Sequence, residues 1–282
     1  MTPDPRRALR FWPAFREAAL EPRPGGFSGA RVWRVRTGLG LFCLRASPPG
    51  EKPASAMPRF GWMAEASRLP FVPGIIPTEA GLPFAQTMGR LWEMQDWMPG
   101  EPDEAPPLPR LESACAALAL LHRVWEGGRA VGPVPAAARR LAALADVPGA
   151  RAASLRERLA AVGPAGLRPC LCDPRPGNVL FAGSEVSGIV DWADMRVDSP
   201  AGDVARLLGE LASDDEARWA AGMAAYRRVR PLDAAEEELA RLLDRAGTLV
   251  AALRWERRLA EGLGEEARQR AERVLARVRG WG

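Results

Sequence analysis

Apolar and polar positions follow two different periods along this chain. Arg6–Leu20 spaces its apolar residues helically, which predicts a short amphipathic helix closed by Pro22, Pro24, Gly25 and Gly26. The period then falls to two. Val32, Trp33 and Val35 stand among arginines in Arg31–Arg36, Thr37–Gly40 has the composition of a turn, and Leu41–Leu44 is apolar; together they predict a β-hairpin. A helix is predicted over Arg59–Leu69, ended by Pro70 and Pro73, and short strands over Leu82–Thr87 and Leu91–Trp97.

Pro99–Pro109 reads as a connector, and beyond it the helical period dominates. Helices are predicted over Leu111–Trp125, Ala136–Ala145, Ala150–Ala161, Gly202–Leu211 and the array Glu216–Arg279. Arg168–Val190 interrupts them with strands and a loop, and no internal repeat is present. The pattern predicts an α+β protein, a β-rich part over residues 1–98 and a mainly helical part over 99–282. The interruption is the place to look for chemistry.

Composition narrows the classes of function. With 282 residues, 47% hydrophobic and 26% charged, the chain can bury a substantial core. No apolar run approaches the roughly 20 residues of a membrane span, and Met1–Leu20 lacks the apolar stretch of a signal peptide. A cytoplasmic protein with no membrane partner is therefore expected. The net charge of +4 comes from arginines scattered among acids, so nucleic acid is not an expected partner either. Cys43, Cys115, Cys170 and Cys172 lack the paired spacing of a zinc site and are expected to be reduced. His122 is the only histidine, which argues against His-rich metal sites.

Within the interruption, Cys170-Leu171-Cys172-Asp173-Pro174-Arg175-Pro176-Gly177-Asn178 precedes an apolar strand, and Gly188-Ile189-Val190-Asp191-Trp192 follows it. Asp and Asn also bond their own backbone in ordinary turns, so the loop by itself allows a plain polar connection. The intervals are more specific. Asn178 lies five positions after Asp173 and Asp191 a further 13 on, which resembles the catalytic loop of the aminoglycoside phosphotransferase and choline kinase-like family, relatives of protein kinases.

That resemblance implies a two-lobed protein-kinase-like fold with a small β-rich N-lobe, 1–98, and a larger helical C-lobe, 99–282. It implies an ATP- and Mg²⁺-dependent small-molecule kinase that phosphorylates a hydroxyl of a small acceptor. Asp173 would act as catalytic base, Arg175 would offset charge on the moving phosphoryl, and Asn178 and Asp191 would be metal ligands, as suits a hard cation. Gly26, Ser28 and Gly29, just before the first hairpin strand, would cover the nucleotide phosphates, although a plain hairpin turn has the same composition. Arg45 stands where the family presents a phosphate-holding lysine, with Glu65 as its helix partner or else an exposed helix charge. Trp97 falls at the hinge that meets the adenine.

Asp203 matches a buried Asp bracing the loop, and His122 is expected to pack or cap. Leu171 and Cys172 replace the His-Gly that usually precedes the catalytic Asp. With Arg45, these departures leave a second reading, a silent kinase-like module that binds a nucleotide or a protein. Asp214, Asp215, Glu256 and Glu261 are acids that either meet a cationic acceptor or are solvated helix charges.

Overall fold

A computed structural model describes residues 3–24, 29–128, 130–262 and 265–281. The chain forms two compact units, Met1–Glu101 together with Ser187–Ala193, and Pro102–Val186 together with Asp194–Gly282. The first contains α1 (Pro5–Leu9), β1 (Ala19–Arg23), β2 (Arg31–Thr37), β3 (Gly40–Ala46), α2 (Pro53–Ala66), β4 (Ile75–Ile76), β5 (Ala85–Thr87) and β6 (Arg90–Asp96), and β7 (Glu101–Pro102) leads out of it. Its sheet runs in the order β1-β2-β3-β6-β4, with β5 also on β6 and every pairing antiparallel.

The expected amphipathic helix over Arg6–Leu20 is not formed as one element. Pro13 offers no N–H, and Trp12 before it leaves the helical region at φ −127°, so α1 stops and a single 3₁₀ turn follows before β1. The apolar residues of that stretch are buried all the same: Ala8, Leu9, Trp12 and Phe15 join Val35, Leu44, Trp92 and Met94 in one cluster. Trp12 Nε1 donates to Ile76 O at 2.9 Å, and Trp33 stacks on Trp92 at 5.5 Å between ring centres. The strand predicted from Leu82 begins only at Ala85, because Pro83 cannot donate to a ladder.

The second unit contains α3 (Leu108–Val124), β8 (Ala130–Gly132), α4 (Pro135–Ala143), α5 (Ala150–Ala160), β9 (Ala165–Cys170), β10 (Val179–Ala182), the first two residues of β11 (Glu185–Ile189), β12 (Arg196–Asp198), α6 (Pro200–Leu211), α7 (Glu216–Val229), α8 (Ala234–Glu261) and α9 (Glu265–Arg279). Here α3 packs on α7, α6 on α8, and α8 on α9. Leu111, Leu118, Leu121, Leu208, Trp219 and Tyr226 form much of the core. β9 lies between β8 and β12, so its last residue delivers the Asp173 loop from a fixed three-stranded support.

Whereas the pattern assigns everything after residue 98 to the helical part, Ser187–Ala193 returns to the first unit. Ile189 N–H donates to Phe71 O at 2.8 Å and Ser187 Oγ to Pro99 O at 2.6 Å, both within that unit. Asp191 is thereby carried with the first unit. Among the described residues, no helix is long and apolar enough to cross a membrane.

Candidate active site

In the first unit, Arg45 on β3 stands directly opposite Glu93 on β6. Arg45 Nη1 donates to Glu93 Oε1 at 2.7 Å, and Arg59 Nη2 from α2 donates to Glu93 Oε2 at 3.0 Å. All three side chains are buried, and Arg59 continues the chain of charge to Glu51 at 3.2 Å. Burial would push the Glu93 carboxyl up, but the Arg59 and Arg45 guanidiniums outweigh it and hold the group below its usual 4.5.

This corrects the expected pairing of Arg45 with Glu65. Glu65 lies on the exposed face of α2, whose buried side is formed by Ala56, Arg59, Phe60, Met63 and Ala66. The carboxylate that holds the strand arginine comes from the neighbouring strand, and the helix supplies a second arginine.

Asp191 belongs to the same unit. It follows the end of β11 by two residues, in the left-handed region at φ 59° with an exposed side chain. Burial lowers the Arg45 guanidinium, but Glu93 and then Asp191 raise it above its ordinary value, so Asp191 lies within the field of Arg45. Gly29 takes φ 80°, and its carbonyl accepts from Arg90 Nη1 at 3.0 Å. Gly26 and Ser28 lie outside the described residues. Trp97 donates its backbone N–H to Leu41 O at 3.2 Å, and its ring faces Arg34 at 5.6 Å and Arg23 at 5.8 Å.

In the second unit, Asp203 near the start of α6 accepts the Leu171 N–H on Oδ2 and the Cys172 N–H on Oδ1, each at 2.7 Å. His122 Nε2 lies 3.1 Å from Asp203 Oδ2, and His122 Nδ1 lies 2.7 Å from the Tyr226 hydroxyl. With a carboxylate as acceptor, the ring proton is assigned to Nε2, and Nδ1 accepts from Tyr226. Burial depresses the His122 pKa below 6.5, against the opposing pull of Asp203. The Cys170 sulfur approaches His122 and Asp203 within 4.8 Å, but the carboxylate is already used by these N–H donors.

Cys172 takes φ 65°, a left-handed conformation that glycine adopts without strain and an L-residue does not. Asp173 follows, partly exposed, with Arg206 Nε donating to Oδ1 at 2.8 Å and Arg175 Nε lying 3.2 Å from Oδ2. Arg206 also donates to Glu210, which accepts from Arg270 Nη2 at 2.9 and 3.0 Å. Asn178 Nδ2 donates to Asp173 O at 3.0 Å, which leaves its amide oxygen as the atom able to meet a cation.

Sequence reasoning misses Glu93, Arg59, Arg206 and Glu210. The last two carry a local signal: Asp203, Arg206 and Glu210 are spaced to share one face of a helix directly after the loop. A cavity of about 890 Å³ elsewhere in the second unit is lined by Arg158, Arg168, Arg230, Asp233, Glu236 and Glu238, and by none of Asp173, Arg175 or Asn178.

An antiparallel sheet holding a buried arginine–carboxylate pair, and a helical unit presenting an Asp-x₄-Asn loop braced by a helix aspartate, define a kinase-like phosphotransferase class. A model of the phosphotransferase enzyme family matches residues 19–239, and the chain belongs to that family. A crystal structure of a type VIII aminoglycoside-3'-phosphotransferase is 25% identical, with a TM-score of 0.56 over 85% of this chain and 98% of that one. An aminoglycoside phosphotransferase from Alicyclobacillus acidocaldarius has a TM-score of 0.67 at 15% identity, over 98% and 92% of the two chains. A spectinomycin phosphotransferase solved with ADP and spectinomycin has a TM-score of 0.62 at 10% identity, over 90% and 87%. A comparison with curated protein sequences gives no match. The protein is a phosphotransferase of the class that acts on small molecules, with an α+β, two-lobed kinase-like fold.

Proposed function

We propose that the protein transfers the γ-phosphoryl group of ATP to a hydroxyl of a small molecule in the cytoplasm. The observation that carries this reading is the Asp173 carboxylate: partly exposed, fixed on both oxygens by guanidiniums, and set on a loop whose backbone Asp203 holds. A carboxylate so oriented can take the acceptor's hydroxyl proton as the oxygen attacks phosphorus. Arg175 retains its terminal Nη donors for the transferring phosphoryl, since its Nε faces Asp173.

The donors present suit Mg²⁺. Asn178 keeps an amide oxygen and Asp191 an exposed carboxylate, both hard ligands of the type this ion takes alongside water and phosphate oxygens. Bound Mg²⁺ would supply neutralisation of phosphate charge. Arg45, Gly26, Ser28, Gly29 and Trp97 are assigned to the nucleotide, with Arg45 held rigid by Glu93. Glu65, exposed and not the partner of Arg45, is not assigned there.

The test is calorimetric titration with ATP, with and without Mg²⁺, on the protein and two variants. Binding should require the metal, Asp191→Ala should lose that requirement along with affinity, and Asp173→Ala should bind ATP but transfer nothing. Metal-dependent binding without transfer to any hydroxyl acceptor would favour the silent module instead.

A further inference from the structure

We infer that the acceptor is an anionic hydroxy compound, with a carboxylate or phosphate group near the hydroxyl that is phosphorylated. The inference rests on the reading of Asp173 as the group that receives the acceptor's proton. In that reaction the acceptor oxygen bonds to the γ-phosphorus while the bridging P–O bond breaks. ADP leaves with the electron pair, and the hydroxyl proton passes to Asp173 and on to solvent. The acceptor must therefore come within hydrogen-bonding reach of Asp173.

What it meets there is positively charged. Asp173 and Glu210 are two carboxylates among three guanidiniums, those of Arg175, Arg206 and Arg270, all partly exposed and between 24% and 31% accessible. The three arginines are not exhausted by the two acids. Among the described residues, the hydrogen bonds of Arg206 use Nε and Nη1 and those of Arg270 use Nη2, while Arg175 turns only Nε toward Asp173. The remaining N–H groups are forked donors matched to carboxylate or phosphate oxygens. Glu210 is held below its usual pKa by Arg206, Arg270 and Arg175 in spite of its partial burial, so it stays ionised and is committed to these guanidiniums.

Two of the acids that could meet a cationic acceptor are engaged elsewhere. Asp214 accepts from Arg277 and from Trp281 Nε1 at 3.0 Å, and Asp215 caps α7 by accepting the Arg218 N–H at 3.0 Å. A cation approaching Asp173 would have to displace arginines from it, whereas an anion adds to them.

A matched series with one carbon skeleton separates charge from shape: glycerate, glycerol phosphate, glycerol and aminopropanediol, each titrated calorimetrically onto the full chain at low salt with Mg²⁺ and a non-hydrolysable ATP analogue. Glycerate or glycerol phosphate should bind at least about tenfold more tightly than glycerol, and whichever is tighter identifies the anionic group. Arg270→Gln should remove that advantage, while Arg273→Gln, which breaks only the exposed pair with Glu104, should keep it. No preference across the series, or tightest binding of aminopropanediol, overturns the inference and leaves the kinase reading standing. Failure of the ATP analogue itself to bind overturns the kinase reading and this inference together.

Discussion

Arg45 and Glu93 face each other across adjacent strands and close a buried ion pair at 2.7 Å, to which Arg59 adds a second guanidinium. Removing one member of such a group strands the others without compensation in low dielectric. Glu93→Gln is therefore expected to destabilise the protein by about 3 kcal/mol or more in urea unfolding. Glu65→Gln, on the exposed face of α2, should stay within about 0.5 kcal/mol of the parent. Equal effects at the two sites would restore the Glu65 pairing. Because the Glu93 pKa is depressed in the folded state, its contribution is present above the ordinary carboxylate range and is lost as pH falls through the folded pKa.

The strain at Cys172 can be measured by comparing two small residues. At φ 65° an L-residue pays for its Cβ and glycine does not, so Cys172→Gly should be more stable than Cys172→Ala by about 1 kcal/mol. Elsewhere in regular structure the order is the reverse. Chemical denaturation of the two variants decides it: if alanine is the more stable, the loop does not hold residue 172 in the left-handed region.

The two candidate groups, one in each unit, differ in how far they can be read from sequence. The β2–β3 hairpin is legible because alternating Val32, Trp33 and Val35 sit beside a glycine turn, and the strands found extend the predicted ones by only one or two residues at their ends. The Asp173–Asn178 loop is visible because its intervals are local. The partner of Arg45 is not legible, since Glu93 is 48 residues away and the choice between it and Glu65 depends on strand register and on which side of α2 is buried. Arg206 and Glu210 read as an ordinary i, i+4 helix pair until α6 is seen to start beneath the loop. The N-terminal helix is overextended because its apolar spacing is real but Pro13 redirects the backbone.

His122 gives the second unit a pH dependence of definite sign. The folded state depresses its pKa below 6.5 through burial, so at lower pH the unfolded chain takes up a proton that the folded protein resists. Stability should fall as pH drops below about 6.5 and continue falling toward the folded pKa. His122→Asn should flatten this part of the curve, measured as urea midpoints between pH 7 and pH 5, while lowering stability at every pH through loss of the Asp203 and Tyr226 contacts. An unchanged slope in the variant would assign the pH dependence to other groups.

Gly222 on α7 marks a close approach to apolar neighbours within the helical core. A Cβ added there would stand 2.5 Å from Leu208 Cδ2, 2.9 Å from Leu111 Cδ2 and 3.0 Å from Cys115 Sγ. All three neighbours are nearly fully buried, so none can swing into solvent to make room. Alanine would gain about 1 kcal/mol of helix propensity over glycine. Overpacking a tight interior costs about 1–3 kcal/mol, and three simultaneous contacts place this site at the upper end of that range. Gly222→Ala is therefore expected to lose about 2 kcal/mol net in urea unfolding, against the propensity trend. Pairing it with Leu208→Ala should recover part of the loss, because the methyl and the leucine branch compete for one space; strictly additive destabilisation in the double variant would show that α7 is not held against α6 and α3 in this way.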